Sequence, residues 1–292
     1  MSRWIGARLP PTRESASGVW TLAEAMRYKA AGLWPGNKFD DAINIAGVKA
    51  DLQCCIDVGA TACYPGTGQT LTDLTGNANN FFLGADGSAT SADPTFNGSV
   101  GGVSVNEYLS FDGGDYCRFA AANPTWVNNL HKDNALWSAA MWARIPATAA
   151  VRSIFGTARG STNQTGVNCY YTSGNVLHFE AADGSAPAIM SADHGGSITA
   201  NTWTFIGLSM NEAAGANGFA FAINDDVDLF TSTYATPSTN NATDTLEFGA
   251  LGNANTPLVN GSRIACVAFW TRALSPAELL ELFKRSRSRF GV

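Results

Sequence analysis

The stretch Gly261–Phe283, GSRIACVAFWTRALSPAELLELF, changes from one apolar periodicity to another and decides how the chain closes its fold. In its first half the apolar residues alternate: Ile264, Cys266, Ala268 and Trp270 on one predicted face, Ala265, Val267 and Phe269 on the other. Apolar residues on both faces are typical of a central strand that is covered on both sides. The alternation therefore predicts a buried strand over this half.

The second half of the stretch predicts a short helix with a well-marked beginning. Ser275 is the expected N-cap, Pro276 suits the first helical position, and Glu278 three residues after the cap completes a capping box. Leu274, just before the cap, is spaced to pack against Leu279. We therefore expect a buried last strand, a sharp turn and a short docked helix.

Two segments carry a resemblance to a known family. R-A-L-S-P-A-E after an apolar strand, within Ile264–Leu279, resembles the closing segment of concanavalin A-like, laminin G-like jelly-roll domains. Near the other end, D-x-G at Asp57–Gly59, Y-x-G-x-G at Tyr64–Gly68 and D-L-T-G-N-x-N-N at Asp73–Asn80 resemble the opening of laminin G-like modules in phage and bacterial surface proteins. Their polar residues are interpreted as turn formers, because Asp73 can accept bonds from backbone amides.

The resemblance spans about Ala50 to Phe283 and implies an all-β fold, a concanavalin A-like β-sandwich (jelly roll). Short strand-like runs separated by Gly, Asn, Asp or Ser also favour a sandwich. These runs are a predicted hairpin at Tyr108–Phe119 with a Gly-Gly turn, then Leu136–Ile145, Val151–Gly156, Gly166–Tyr171, Val176–Ala181, Thr202–Met210, Gly218–Ile223, Val227–Thr231 and Leu246–Leu251.

We divide the chain into an N-terminal arm with a short helix, residues 1–48, and a sandwich with its closing helix and basic tail, residues 49–292. Pro10 and Pro11 oppose regular structure, whereas Thr21 and Glu24 form a capping box that starts a helix of about three turns. The segment 18–36 resembles terminal regions of tailed-phage structural proteins. The arm residues expected to bind a partner are Trp4, Arg8, Arg13, Trp20 and Trp34.

Composition narrows the class of protein. Apolar residues make up 45% of the 292 residues and charged residues only 14%, which excludes a disordered chain. The net charge of −6 conceals basic ends on an acidic body, so a nucleic-acid surface on the body is not expected. The six cysteines show no metal-site spacing, and we expect free thiols. Neither an apolar signal core nor a run of about 18 apolar residues occurs, so we expect no conventional export and no membrane partner.

The sequence offers no convincing catalytic set. Jelly-roll glycoside hydrolases carry alternating carboxylates on one strand, and no such strand occurs here; nor does any GxSxG elbow. We therefore expect no catalytic residues and a chain that is not an enzyme. No cofactor is required by the sequence, and calcium is the one candidate, held by Asp225, Asp226 and Asp228 or by Asp112 with Asp115. The competing interpretation of these residues is acidic turns in water.

The resemblances imply a virion structural protein of a tailed phage, assembled in the host cytoplasm. The sandwich would be a displayed lectin-like module on the capsid or tail, and the arm would anchor it to other virion proteins in a homo-oligomeric arrangement. The alternative is a carbohydrate-binding adhesin that recognises host cell-surface glycan. Exposed aromatic residues gathered with Asp and Asn in the loops at one rim would favour glycan binding.

Overall fold

A computed structural model shows two antiparallel sheets of eight strands each, and it describes residues 20–30, 38–158, 164–185 and 188–292. Sheet A has the order β14-β13-β12-β7-β16-β5-β4, with β1 also paired to β16, and sheet B has the order β11-β10-β9-β8-β15-β6-β3-β2. The predicted all-β sandwich is confirmed.

The elements have the following bounds. The helices are α1 Leu22–Ala30, α2 Phe39–Ile45, α3 Thr125–Asn128 and α4 Pro276–Ser286. The strands of sheet A are β1 Leu52–Asp57, β4 Thr95–Asn97, β5 Tyr108–Phe111, β7 Leu136–Arg144, β12 Trp203–Asn211, β13 Phe219–Ile223, β14 Asp226–Phe230 and β16 Ser262–Trp270. The strands of sheet B are β2 Thr70–Leu71, β3 Phe81–Leu83, β6 Cys117–Phe119, β8 Arg152–Gly156, β9 Thr165–Tyr171, β10 Val176–Asp183, β11 Met190–Ser197 and β15 Glu247–Phe248.

The last strand is the centre of sheet A, as predicted, but its faces differ from a simple alternation. Ile264 pairs with Ala143 and Cys266 with Trp142, so Ala265 is an extra residue in a β-bulge. The bulge puts Ile264 on the inner face with Val267 and Phe269, in the core between the sheets. The predicted grouping of Ile264 with Cys266, Ala268 and Trp270 is therefore wrong, because an inserted residue reverses the alternation on either side of it.

The outer face of sheet A is covered by α2, α4 and the C-terminal residues. Trp142 donates its indole N–H to Ser286 Oγ at 2.9 Å, and its ring stacks on Phe290 with centroids 4.2 Å apart. Helix α4 carries the predicted capping box between Ser275 and Glu278. Leu274 and Leu279 are both buried in this outer cluster. The closing strand, turn and docked helix are thus confirmed.

A buried ion pair joins the two ends of the sandwich. Arg289 Nη1 lies 2.7 Å from Asp57 Oδ2, and both side chains are at most 2% exposed. The same carboxylate accepts the N–H of Phe39, the first residue of α2, and the N–H of Gly59. A Cβ at Gly59 would lie 2.7 Å from Arg289 Nη2, which explains the D-x-G element. Arg289 of the basic tail is therefore buried inside the fold. Helix α2 packs on the sandwich, although it lies within the segment 1–48 that the sequence analysis assigned to the arm.

The turn predicted at Asp73–Asn80 is confirmed. Asp73 Oδ1 accepts the N–H groups of Cys55 and Thr75, and the side-chain amides of Asn77 and Asn79 donate to the carbonyl of Gln53. All six cysteines are buried free thiols, and burial raises the pKa of each thiol above its ordinary value. Asp73, Asn77 and Asn79 therefore form the turn, as the sequence indicated.

The hairpin predicted at Tyr108–Phe119 is wrong. Strand β5 pairs with β4 and β16 in sheet A, whereas β6 pairs with β3 and β15 in sheet B. The Gly113–Gly114 segment is a connection between sheets, with Gly113 at a φ of +109° and the buried Asp115 accepting the N–H of Asp112. The local sequence pattern is that of a hairpin, but each of the two strands pairs with two other strands of a different sheet.

Candidate functional site

A groove lies at one rim of the sandwich, at the edge where β7 and β1 begin and β16 ends. Since these strands are antiparallel neighbours of β16, their ends meet at the same edge of sheet A. Helix α3 and the loop that follows it complete the groove, whose volume is about 700 Å³. Its lining residues are Gln53, Pro124, Thr125, Trp126, Asn129, Lys132, Asp133, Asn134, Ala135, Leu136, Trp137 and Thr271.

Trp126 is the half-buried aromatic residue of this groove. Its ring packs against Phe269 with centroids 5.6 Å apart and against Phe119 at 6.3 Å, so its position is fixed by the core. The indole Nε1 is buried and has no hydrogen-bond partner among the described residues. A desolvated donor without an acceptor is costly, so ring packing and not a hydrogen bond sets the position of this side chain.

Polar side chains complete the lining of the groove. Asn129, Asp133 and Asn134 are exposed, and Gln53 donates to Thr271 Oγ1 at 3.0 Å. Such amide and carboxylate groups beside an aromatic ring provide both hydrogen bonds and an apolar face. The arrangement suits a ligand with many hydroxyl groups and some apolar C–H surface.

The loop over the groove is held by buried polar contacts. Glu212 accepts the N–H of Asn134 at 3.0 Å through one carboxylate oxygen and the N–H of Tyr234 at 3.0 Å through the other. Trp137 and Tyr234 both donate to the carbonyl of Leu130. These contacts anchor the backbone from residue 130 to residue 134, so the groove is largely formed before any ligand arrives.

His131 is a buried histidine in this loop. Its Nε2 lies 3.1 Å from the carbonyl oxygen of Asn240, and burial lowers its pKa to about 4 because the interior disfavours the imidazolium. The ring is thus neutral at pH 7 and donates from Nε2. Its role is to hold the loop, and it does not line the groove.

The aspartates predicted to bind calcium lie at the β13–β14 hairpin, at the edge between the two sheets. Asn224 adopts a φ of +58° and Asp225 is in the turn. Asp228 accepts the N–H of Gly195 at 2.6 Å and lies 3.5 Å from His194 Nδ1, so it ties β14 to β11. Within residues 20–30, 38–158, 164–185 and 188–292, no three His, Cys, Asp or Glu side chains are gathered so that they could hold a metal ion. Calcium binding by Asp225, Asp226 and Asp228 stays a prediction.

Most of the predicted partner-binding residues lie outside the described part of the chain: Trp4, Arg8, Arg13 and Trp34. Trp20 is half-buried just before α1. The predicted capping box is present, since Glu24 N–H lies 3.3 Å from Thr21 Oγ1 and Thr21 N–H 3.0 Å from Glu24 Oε2. In the described part of the chain, no helix is long and apolar enough to cross a membrane.

Sequence reasoning missed the groove. The available signal was the run WVNNLHKDN, residues 126–134, in which one tryptophan precedes three asparagines, a lysine and an aspartate directly before a long apolar strand. Only the strand was interpreted. Gln53 and Thr271 carry no such signal. They are 218 positions apart in the sequence, and only the pairing of β1 with β16 brings them together at the groove.

Comparison with known proteins identifies the family. The concanavalin A-like lectin/glucanases superfamily (laminin G type) matches residues 111–280, more than half of the chain. No curated protein matches the sequence. Among solved structures, botulinum neurotoxin type C, in a study of its cell entry through two ganglioside molecules, is similar at a TM-score of 0.56 and 15% identity. That match covers 82% of this chain and 52% of the toxin chain.

Two further structures have the same fold. The binding domain of Paraclostridial Mosquitocidal Protein 1 matches at a TM-score of 0.53 and 14% identity, over 80% of this chain and 52% of that one. Trypanosoma rangeli sialidase in complex with sialic acid matches at a TM-score of 0.52 and 12% identity, over 80% of this chain. This chain thus spans about half the length of the toxin chains and 33% of the sialidase chain. At these identities the likeness concerns the fold alone.

These matches correct one expectation from the sequence. The chain was expected not to be an enzyme, but sialidases are among the solved structures that share its fold. The expectation rested on the absence of carboxylate and serine motifs. The absence of these motifs does not exclude catalysis in a fold that enzymes also contain. The match to residues 111–280 and the two-sheet architecture agree, and the chain belongs to the concanavalin A-like lectin/glucanases superfamily.

Proposed function

We propose that this chain is a displayed lectin-like module of a tailed-phage particle, which binds host cell-surface glycan through the rim groove. The arm attaches it to other virion proteins on the capsid or tail, where several copies are arranged together. The observation that carries the glycan half of this proposal is the groove itself. It combines the half-buried ring of Trp126 with exposed Asn129, Asp133 and Asn134 at one rim.

Sugar rings fit this chemistry for a physical reason. One face of a pyranose is apolar C–H surface that packs on an aromatic ring, while its hydroxyls both donate and accept hydrogen bonds. Trp126 offers the ring, the amides of Gln53 and Asn129 offer donors and acceptors, and Asp133 offers acceptors. The anchored loop reduces the entropy lost on binding, which favours a small ligand in a shallow groove.

The attachment half of the proposal is supported by α1 and by the sequence resemblance of residues 18–36. Leu22 and Met26, four residues apart on this helix, are 78% and 63% exposed. Residues at this spacing share one face of a helix, so α1 presents apolar surface that a neighbouring protein would bury. The adhesin alternative needs no such attachment, and it differs from our proposal in that respect alone.

The groove is tested by glycan-array binding followed by titration of the best ligand. Asn129→Ala and Asp133→Ala remove exposed groups without disturbing the core, and we expect each to weaken binding by about tenfold or more. Trp126→Phe keeps an aromatic ring but reduces the apolar face offered to a sugar, and should also weaken binding. Arg285→Gln, on the exposed side of α4 and paired with Glu281 at 2.6 Å, is the matched control.

The outcomes separate the parts of the proposal. Binding that persists unchanged in all three groove variants would place the glycan elsewhere, and silence of the wild type on a broad array would refute glycan recognition. Calorimetric titration with calcium tests the calcium prediction separately, because the β13–β14 hairpin lies at the end of sheet A away from the groove. Calcium binding that is lost in Asp228→Asn supports it, whereas no calcium binding by the wild type contradicts it.

A further inference from the structure

A row of directly paired residues crosses the outer face of sheet A, away from the rim groove. The register places Trp203 opposite Arg144, Arg144 opposite Arg263, Arg263 opposite Ser110, and Ser110 opposite Thr95. All five lie on the outer face, because their neighbours Ala143 and Ile264 are in the core between the sheets. Helix α4 and Phe290 cover the part of this face next to Trp203, and the arginines lie beyond them.

The two arginines of this row are close and uncompensated. Arg144 donates from Nε to the carbonyl of Asn201 at 2.7 Å, and the guanidinium of Arg263 lies 4.4 Å from the centre of the Tyr108 ring. Neither forms an ion pair with any residue that the structure describes. Burial and the charge of Arg263 both lower the pKa of Arg144. Like charges opposite each other in a sheet are destabilising, so this pair costs stability that folding alone does not require.

A cleft of about 480 Å³ opens beside Arg263, and its other side is acidic. That side carries Asp93, Asp112 and Asp115, whose carboxylates already accept N–H groups from Thr90, from Gly114 and from Asp112 itself. Each carboxylate keeps lone pairs for further donors. Arg263 lines this cleft together with the partly exposed Tyr108, and Arg144 lies next to Arg263 beyond the lining, so the arginine pair borders a row of acceptors.

We propose that the Arg144–Arg263 pair and the cleft beside it bind an acidic saccharide, with one carboxylate or sulfate on the two guanidinium groups and its hydroxyls donating to the aspartates of the cleft. Arginine pairs with oxyanions through two parallel hydrogen bonds, which gives both affinity and orientation. A polyphosphate or nucleic-acid backbone fits poorly, because its repeated charges would meet the three aspartates. An acidic sugar presents one anionic group beside several neutral hydroxyls, which matches both sides of the cleft. This proposal does not depend on the rim groove.

The test is calorimetric titration of the full chain with cellobiouronic acid, a disaccharide with one carboxylate, and with its methyl ester as the neutral probe of the same skeleton. We expect the acid to bind and the ester to bind at least about tenfold more weakly. Arg144→Gln and Arg263→Gln should each weaken binding of the acid by at least about tenfold. Arg285→Gln and the groove variant Asn129→Ala should leave it unchanged.

Two further measurements distinguish a loss of the binding site from a loss of folding. Removing one of two like charges should leave the melting temperature of Arg144→Gln unchanged or raised, so loss of binding in that variant reports the site. Arg263 also contacts Tyr108, and Arg263→Lys, which keeps the charge but not the planar fork, supplies a second variant there.

Four results would overturn the proposal. They are no binding of cellobiouronic acid up to about 10 mM, equal binding of acid and ester, affinity retained in Arg144→Gln, or a loss of affinity caused by Asn129→Ala alone. Displacement of the acid by an equal concentration of sodium sulfate would overturn the saccharide part, since it would show a site for small anions only.

Discussion

His131 makes the loop over the rim groove sensitive to acid. Its pKa in the folded chain is about 4 because it is buried, whereas an exposed histidine titrates near about 6.5. Between these two pH values the unfolded chain binds a proton that the folded chain does not. The free energy of unfolding therefore falls as the pH is lowered from about 6.5 to about 4.

His131→Gln removes this titrating group. Between about pH 6.5 and pH 4 we therefore expect the free energy of unfolding of the variant to fall by about 2 to 3 kcal/mol less than that of the wild type. Glutamine keeps an N–H that can donate to the carbonyl of Asn240 but does not titrate. Urea unfolding at a series of pH values measures the difference, with His178→Gln as the control because its ring is partly exposed. Parallel curves for the wild type and His131→Gln would show that another group causes the acid sensitivity.

Individual residues differ in how far the sequence reveals them. Asp73 was predicted as a turn former because its partners lie within a few residues, and the structure confirms it. Asp57 and Gly59 were recognised as a motif, but their partner Arg289 lies 232 positions away and no local pattern points to it. Arg144 and Arg263 were missed for the same reason, since only the pairing of β7 with β16 brings them side by side.

Helix α4 is the element whose ends the sequence specified best, and its cap is open to a direct test. Ser275→Ala with Glu278→Ala removes both bonds of the capping box and should lower the free energy of unfolding by about 1 to 2 kcal/mol. The control is Glu281→Ala, which loses an exposed ion pair to Arg285 but no cap. Denaturation midpoints that match between the two variants would mean that the cap does not stabilise the folded chain.

Other elements show where local patterns are insufficient. The strand runs from Leu136 to Ile223 were predicted because apolar residues alternate there, and β7 to β10, β12 and β13 confirm them. Strand β11, Met190–Ser197, was not predicted, because its sequence MSADHGGS contains two glycines and little apolar alternation. It exists because β10 pairs with it and Asp228 binds the N–H of Gly195. The bulge at Ala265 was also invisible, since it depends on the register with β7.

At the scale of the whole molecule, the arm and the sandwich are expected to be separable. Deletion of residues 1–18 should leave the melting temperature nearly unchanged, because the body closes through Phe39, Asp57 and Arg289. The same deletion should abolish incorporation into particles if the arm is the attachment. Melting by circular dichroism and co-purification with particles from producing cells measure the two effects.

The full-length chain carrying Arg285→Gln controls for altered expression in that experiment. Unfolding of the truncated chain would assign the arm to the core of the sandwich. Normal assembly without residues 1–18 would refute attachment through that segment. Retained glycan binding without assembly would favour the module we propose over an adhesin that needs no particle.

The central position of β16 also has a consequence for how this protein is made. β16 pairs with β7 on one side and with β5 and β1 on the other, yet it is the last strand to leave the ribosome. At about 5 to 20 residues per second, β1 waits roughly 10 to 40 s for its partner. Sheet A is therefore completed only after translation of residues 262–270, and a prematurely terminated chain leaves β1 unpaired and exposes one edge of β7 and of β5 to chaperones and proteases.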